Sequence, residues 1–400
     1  MSPRRVLAGS ALALVLPASL LLGLPSHSAT ESAEGGAASA SLRTTATQWV
    51  HLQALPQIVQ QGARVASPDA AKAAITATIR PVEAGRKVRL EVERDSHWES
   101  VATVRQNAKG RAQFAAPATS SGRPLTYRVR AAAFEGLEAI TSDTVSTARW
   151  LSPTWTDEFT GSALSPTWHH RGQHFDVKSL RRCSRGDPKA VEVGDGAVRL
   201  SVMKDRSQTT RCKVRVRDEF AGRYAHRLNG HIGTEGAFSF KYGIAAARMK
   251  FHRTRGQHGS FWMQAVGGMY PGGTGHEIDV IEYFGDNHRK GGLTTFIHRY
   301  EGSRVVKTGA RITDIRSFLR NKRDGWSKNY HVFSVEWTPQ TLIFRIDGKE
   351  TTRISGGISS VPQFPILSLL SSDYEIPKMK GRQLPQHMYV DWIRVWETGS

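Results

Sequence analysis

The chain has 400 residues, 39% of them hydrophobic and 10 of them Trp, with 55 Lys+Arg against 35 Asp+Glu for a formal net charge of +20. Such apolar and aromatic content excludes a disordered chain and points to folded domains with buried cores. The basic balance suits polyanionic surroundings such as nucleic acid, anionic membrane or acidic polymer, or it simply sets solubility, and two cysteines alone exclude a structural zinc site.

The first 29 residues, "MSPRRVLAGSALALVLPASLLLGLPSHSA", place Arg4 and Arg5 before an uncharged apolar stretch from Val6 to Leu24, then small residues. This is the layout of a secretory signal, with cleavage expected near Ala29. Residues 1–29 are therefore read as a leader and the mature protein as secreted, with association to a cell wall left open. An uncleaved anchor is the alternative, since the run is nearly long enough to span a bilayer; Pro17, Pro25 and the small-residue exit favour cleavage. Export through the twin-arginine route is also open. No second long apolar run follows, so no stable membrane association is expected after cleavage. Residues 30–47 are small, polar and alanine-rich, the composition of a linker.

From residue 48 to 148 the texture changes. "AAITATIRPV", "KVRLEVERD", "ESVATVRQN" and "LTYRVRAAAF" alternate apolar with polar residues and are separated by turn formers. Short strands at such spacing predict a small immunoglobulin-like β-sandwich, read as a spacer or binding module. A boundary near Ser152-Pro153 opens a second region, 152–398, again written in strands: "GAFSFKYGIAAARMKF", "SFWMQAV", "EIDVIEYF", "YHVFSVEWTP", "TLIFRIDGKETTRI" and "MYVDWIRVWE". Two facing sheets of this length make a large sandwich or jelly roll. "IDGKE" carries the Asp-Gly of a tight hairpin turn, and helical periodicity is confined to a turn near "DIRSFLRNK". Cys183 and Cys212, 29 positions apart, form a candidate disulfide in an oxidising compartment, a free buried pair being the alternative.

"GHEIDVIEYFGD" sets Glu277, Asp279 and Glu282 in an otherwise apolar run. A strand alternates faces with period two, so Glu277 and Asp279 share a face while regular alternation turns Glu282 away. One extra residue, a β-bulge, returns Glu282 to that face. The two glutamates then lie roughly 13 Å apart along the strand, close enough for long side chains to converge on one glycosidic bond. Crowded carboxylates hold protons unequally, and that separates a general acid from an ionised nucleophile. Glu277 is assigned as nucleophile, Glu282 as acid/base, and Asp279 as the group that holds Glu277 in place. A solvated acidic strand and a calcium site are the alternatives. A zinc-protease His-Glu-x-x-His is excluded, because Val280 stands where the second histidine must be.

At these residues the chain resembles glycoside hydrolase family 16, whose hallmark Glu-x-Asp-x-x-Glu on a bulged strand matches "EIDVIE". The likeness runs over roughly 154 to 397 through "DEFTGSAL", "GTEGAFSFKYG", "GSFWM", "HVFSVEWTP", "FRIDG" and "VDWIRVWE". It implies an all-β chain: a C-terminal concanavalin-like β-jelly roll with an open cleft, preceded by the small sandwich. It also implies endo-hydrolysis of β-linked glycans with retention, in laminarinase-like fashion. Trp262 matches a family aromatic that stacks on sugar, His298 a position facing the cleft, and Arg248 and Tyr270 are further candidates for substrate contact. Catalysis needs no cofactor. A structural calcium is implied for many members, with Asp391 as the matching ligand and Glu158 and Gly196 as accompanying candidates.

The expected activity is that of a secreted, monomeric retaining endo-glycosidase on β-1,3-glucan or mixed-linkage β-glucan. "MYPGGTGHE" departs from the Trp-Pro and glycine of laminarinases, and Ala246 stands where many relatives have glutamate. A galactan of the agar or carrageenan type, or transglycosylation on the same site, therefore stays open. From another class, a non-catalytic glycan- or cell-wall-binding protein is the alternative. A polysaccharide is the expected partner and nucleic acid is not, since the basic residues are scattered along strands without a recognised module.

Overall fold

A computed structural model describes residues 47–269, 275–301 and 304–399. The leader, nearly all of the linker, and Tyr270 lie outside these described residues.

Among them, a 16-stranded sheet dominates. Its first half runs Arg304–Arg311, Leu293–Glu301, His276–Tyr283, His258–Ala265, Gln363–Leu370 and Arg227–Gly233, each strand antiparallel to the next. A short pairing of Arg227–Gly233 with Ala197–Lys204 carries the path into the second half. That half continues through Gln386–Glu397, Gly243–Lys250, His331–Trp337, Thr341–Ile346 and Lys349–Ser355. The two halves share one core, in which Phe261, Met263, Ile278, Ile297 and Leu367 of the first meet Leu200, Ala245, Phe333, Val390 and Ile393 of the second. This is a two-layer jelly-roll arrangement, in which alternate residues of each strand face the shared core and the others face away from it. Full burial of each large apolar side chain contributes about 1.5–3 kcal/mol.

Local signals read from the sequence appear where they were expected. Asp347 and Gly348 take positive φ, 47° and 76°, the backbone of a two-residue hairpin turn that Asn or Asp followed by Gly adopts most readily. The helical stretch near residue 315 is a single 3-10 turn, Ile315–Phe318. Cys183 and Cys212 are disulfide-bonded, with Cα atoms 5.6 Å apart.

Upstream, Trp49–Ala54, Ala73–Arg80 and Arg111–Ala116 form one small sheet, and Lys87–Arg94, His97–Arg105 and Thr126–Ala131 belong to a second. Their inward residues, among them Ile75, Ile79, Val88, Leu90, Tyr127 and Val129, share a core with Ile244, Ala246, Val332, Trp392 and Trp396 of the large sheet. Hydrogen bonds seal the contact: the indole of Trp150 donates to the carbonyl of Ala54 at 2.7 Å, and that of Trp396 to the carbonyl of Trp150 at 3.1 Å. The described residues fall within one compact unit.

Candidate active site

The strand His276–Tyr283 builds the site. Against its neighbour His258–Ala265, Ile281 pairs with Phe261 and Asp279 with Trp262, leaving Val280 as the extra residue. The same slip occurs against Leu293–Glu301, between Asp279 and Glu282. Ile278, Val280, Ile281 and Tyr283 all enter the core. Glu277, Asp279 and Glu282 turn to the opposite face, so the bulge both buries two consecutive apolar residues and restores the third carboxylate.

Rows of paired residues cross this open face. Gln264, Glu277, His298 and Lys307 form one; Trp262, Asp279 and Phe296 the next; Ser368, Ser260, Glu282 and Thr294 the third. His298 Nε2 lies 3.6 Å from Glu277 Oε1 and 3.3 Å from Asp279 Oδ2. Thr294 donates its hydroxyl to Glu282 Oε2 at 3.0 Å. Behind the strand, the buried Thr295 hydroxyl sits 2.8 Å from the carbonyl oxygen of Asp279 and 2.9 Å from that of Val280, capping the bulge itself.

Trp262 presents its ring on this face, half-buried, with its indole N–H donating to Ser368 Oγ at 3.1 Å and its ring stacked on His231 at 6.1 Å between centroids. Arg171 reaches the same face, donating to Gln264 Oε1 at 2.7 Å. Burial, reinforced by Arg171, Arg181 and His258, pushes the His231 imidazole down to about 3, so it stacks as a neutral ring.

Burial pushes the Glu277 carboxyl up to about 8, with Asp279 the next cause, and drives Asp279 well above the ordinary carboxylate range, with Glu282 adding to the effect. Glu277 and Asp279 are hydrogen-bonded to each other, and two carboxylates can share such a bond only with one proton between them. The side chain of Asp279 is the deeper, 7% exposed against 20% for Glu277. That bond raises Glu277 and opposes the rise of Asp279, so the pair holds one proton between them. His298 is held below the usual histidine range by burial, against the opposing pull of Glu277, and stands neutral beside the pair. Glu277, Asp279 and His298 also offer ligand atoms within 4.8 Å of one another, the one grouping among the described residues that could receive a metal ion.

Other residues singled out from the sequence fall elsewhere. Arg248 is not at this face: it lies in the second half-sheet, 1% exposed, beneath the upstream small sheets. Its place in an alternating strand left two faces open, and the outward one is covered by the N-terminal region. Asp391 is paired with that same Arg248. Glu158 spends both oxygens on Arg394, at 2.7 and 2.8 Å. A Cβ on Gly196 would meet Val65 Cγ1 at 2.9 Å.

Sequence reasoning missed Thr294, Thr295, Ser368 and Gln264. The alternation in "LTTFIHRYE" carries the signal for Thr294, since it shares a face with His298 two steps away.

The family model described as "Glycosyl hydrolases family 16" matches residues 187–394. Glucan endo-1,3-beta-glucosidase A1 of Niallia circulans is 24% identical over 271 residues, covering 61% of this chain and 37% of that protein. Gram-negative bacteria-binding protein 3 of Drosophila melanogaster is 28% identical over 124 residues, covering 28% of this chain and 23% of that protein. The chain thus spans well under half the length of either curated relative. Among solved structures, the laminarinase catalytic domain of Thermotoga maritima aligns with a TM-score of 0.48 at 23% identity, over 62% of this chain and 99% of that one. The endo-beta-1,3-glucanase of Pyrococcus furiosus aligns with a TM-score of 0.49 at 20% identity, over 62% and 95%. With its bulged carboxylate strand and a family match across more than half its length, the chain belongs to glycosyl hydrolases family 16.

Proposed function

We propose that the protein is a secreted, retaining endo-glycosidase that cleaves internal β-linkages of a β-glucan, with β-1,3-glucan as the first substrate. The observation that carries this reading is the convergence of Glu277, Asp279 and Glu282 on one open face through the Val280 bulge. In the first step Glu282 donates its proton to the glycosidic oxygen while Glu277 attacks the anomeric carbon, giving a glycosyl-enzyme ester and a free reducing-side chain. In the second, Glu282, now a carboxylate, takes a proton from water, which displaces Glu277 and returns the acid form. Asp279 shares one proton with Glu277; holding that proton, it steadies Glu277 for attack and stabilises it as a leaving carboxylate. Trp262 offers the apolar face of its indole to a sugar ring.

The choice of substrate draws on the Niallia circulans relative named as a glucan endo-1,3-beta-glucosidase. The secretory reading draws on the leader-like N-terminus, and the upstream small sheets are read as an immunoglobulin-like module. A second reading, a glycan-binding protein without catalysis, draws on the Drosophila melanogaster relative named for binding. A binder has no need of an acid and a nucleophile held on one face, which favours the enzyme.

Purified protein assayed on laminarin, lichenan, agarose and carrageenan separates these readings. Release of reducing ends from laminarin, abolished in Glu277→Gln and Glu282→Gln with the fold retained, supports the proposal. Binding without hydrolysis on all four glycans replaces it with the second reading.

A further inference from the structure

Asp391 sits in a second bulge. Arg248 pairs with Trp392 and Met249 with Val390, leaving Asp391 as the extra residue of the strand Gln386–Glu397. Its carboxylate is 3% exposed and meets the Arg248 guanidinium, itself 1% exposed. A charge left unpaired at such depth is costly.

The rest of the guanidinium is spent on one short upstream segment. Arg248 Nε donates to the Gln60 carbonyl at 2.6 Å and Nη2 to the Arg64 carbonyl at 3.1 Å, while the Tyr330 ring lies 4.7 Å from Cζ. The Ala66 N–H donates to Asp391 itself. The same segment is fixed from both sides. Gly62 and Tyr330 exchange backbone hydrogen bonds at 3.2 and 2.7 Å, and the Trp392 indole donates to Gln60 Oε1 at 2.6 Å. A Cβ on Gly62 would come within 3.0 Å of Arg248 Nη2, so the segment passes directly over the guanidinium.

One carboxylate and two backbone carbonyls converging on a point are oxygen donors of the kind a hard divalent cation takes. Here a guanidinium fills the point, and a guanidinium keeps its charge at every working pH. We propose that Arg248 stands in for a structural divalent cation: it neutralises Asp391 and gathers the carbonyls of Gln60 and Arg64, so the N-terminal region is locked onto the large sheet without a metal ion. The fixed fork of donors explains why arginine suits the task, since each nitrogen has its own oxygen.

Thermal unfolding of the full chain tests this, and its readout does not depend on which glycan the enzyme cleaves. The wild type is expected to unfold at the same Tm in EDTA and in excess calcium chloride. Arg248→Met, which leaves Asp391 buried and unpaired, is expected to lower Tm by roughly 5–10 °C. The double variant Arg248→Met/Asp391→Leu, with neither charge present, is expected to recover more than half of that loss. Should the single variant fail to fold, the double variant and the wild-type chelation series still decide the matter. A wild-type Tm that falls in EDTA and returns with calcium overturns the proposal, as does a double variant no more stable than the single one.

Discussion

Asp279 and Glu282 present their carboxylates to the same face of one strand although three positions separate them, because Val280 is absorbed as an extra residue between them. That slip places Glu282 in the row of Ser260 and Thr294 and Glu277 in the row of Gln264 and His298. The strand thereby offers two glutamates at two ends of one short stretch, with Asp279 between them.

The bulge is held by Thr295, whose hydroxyl reaches the carbonyls of Asp279 and Val280. Thr295→Val keeps the shape of the side chain and strands those buried carbonyls. We expect a loss of about 1–3 kcal/mol in urea unfolding, accompanied by a fall in kcat as Glu282 loses its aim. Unchanged unfolding midpoint and kcat would separate Thr295 from the geometry of the site.

Charge crowding at the site carries a stability cost that depends on pH. Glu277 is raised to about 8 and Asp279 in the same direction, chiefly by burial, whereas in the unfolded chain both titrate near about 4. Across that interval the folded protein binds protons that the unfolded chain has released, so stability falls as pH rises from about 4 toward 8. Glu277→Gln removes one of the coupled carboxyls. It is expected to raise Tm relative to wild type at pH 8, with little difference at pH 4, while abolishing activity. A Tm difference of equal size at both pH values contradicts the assignment.

Trp262 is partly exposed beside the catalytic row and anchored by Ser368. Trp262→Ala is expected to raise KM on the glycan by roughly five- to tenfold, from the loss of about 1 kcal/mol of ring stacking, with a smaller effect on kcat. Steady-state kinetics on laminarin checks this; an unchanged KM would assign Trp262 to packing alone.

How far the sequence could be read depended on the range of the interaction. The bulge was legible because it is encoded within six residues: "EIDVIE" breaks period two once, and the apolar pair Val280-Ile281 says where. The hairpin at Asp347-Gly348 was equally local. Arg248 was not legible. Alternation tells that successive residues face opposite ways, but not which face meets substrate and which is covered by chain from far away. Its partners Gln60 and Asp391 stand 188 and 143 positions off. The shared core failed to show for the same reason. Alternation puts Ile244 with Ala246, and Trp392 with Trp396, on one face of their strands, and only tertiary packing reveals that Ile75, Leu90 and Tyr127 lie in the same cluster. Thr295 was hidden by chemistry of another kind, since a buried threonine in a strand looks like ordinary β-propensity until its hydroxyl is seen against a bulge.

The stereochemistry of the first product tests the account most directly. Proton NMR of laminarin hydrolysis by the purified protein, recorded before the new reducing end mutarotates, is predicted to show the β-anomer appearing first. The α-anomer appearing first would contradict attack by Glu277 and a glycosyl-enzyme intermediate.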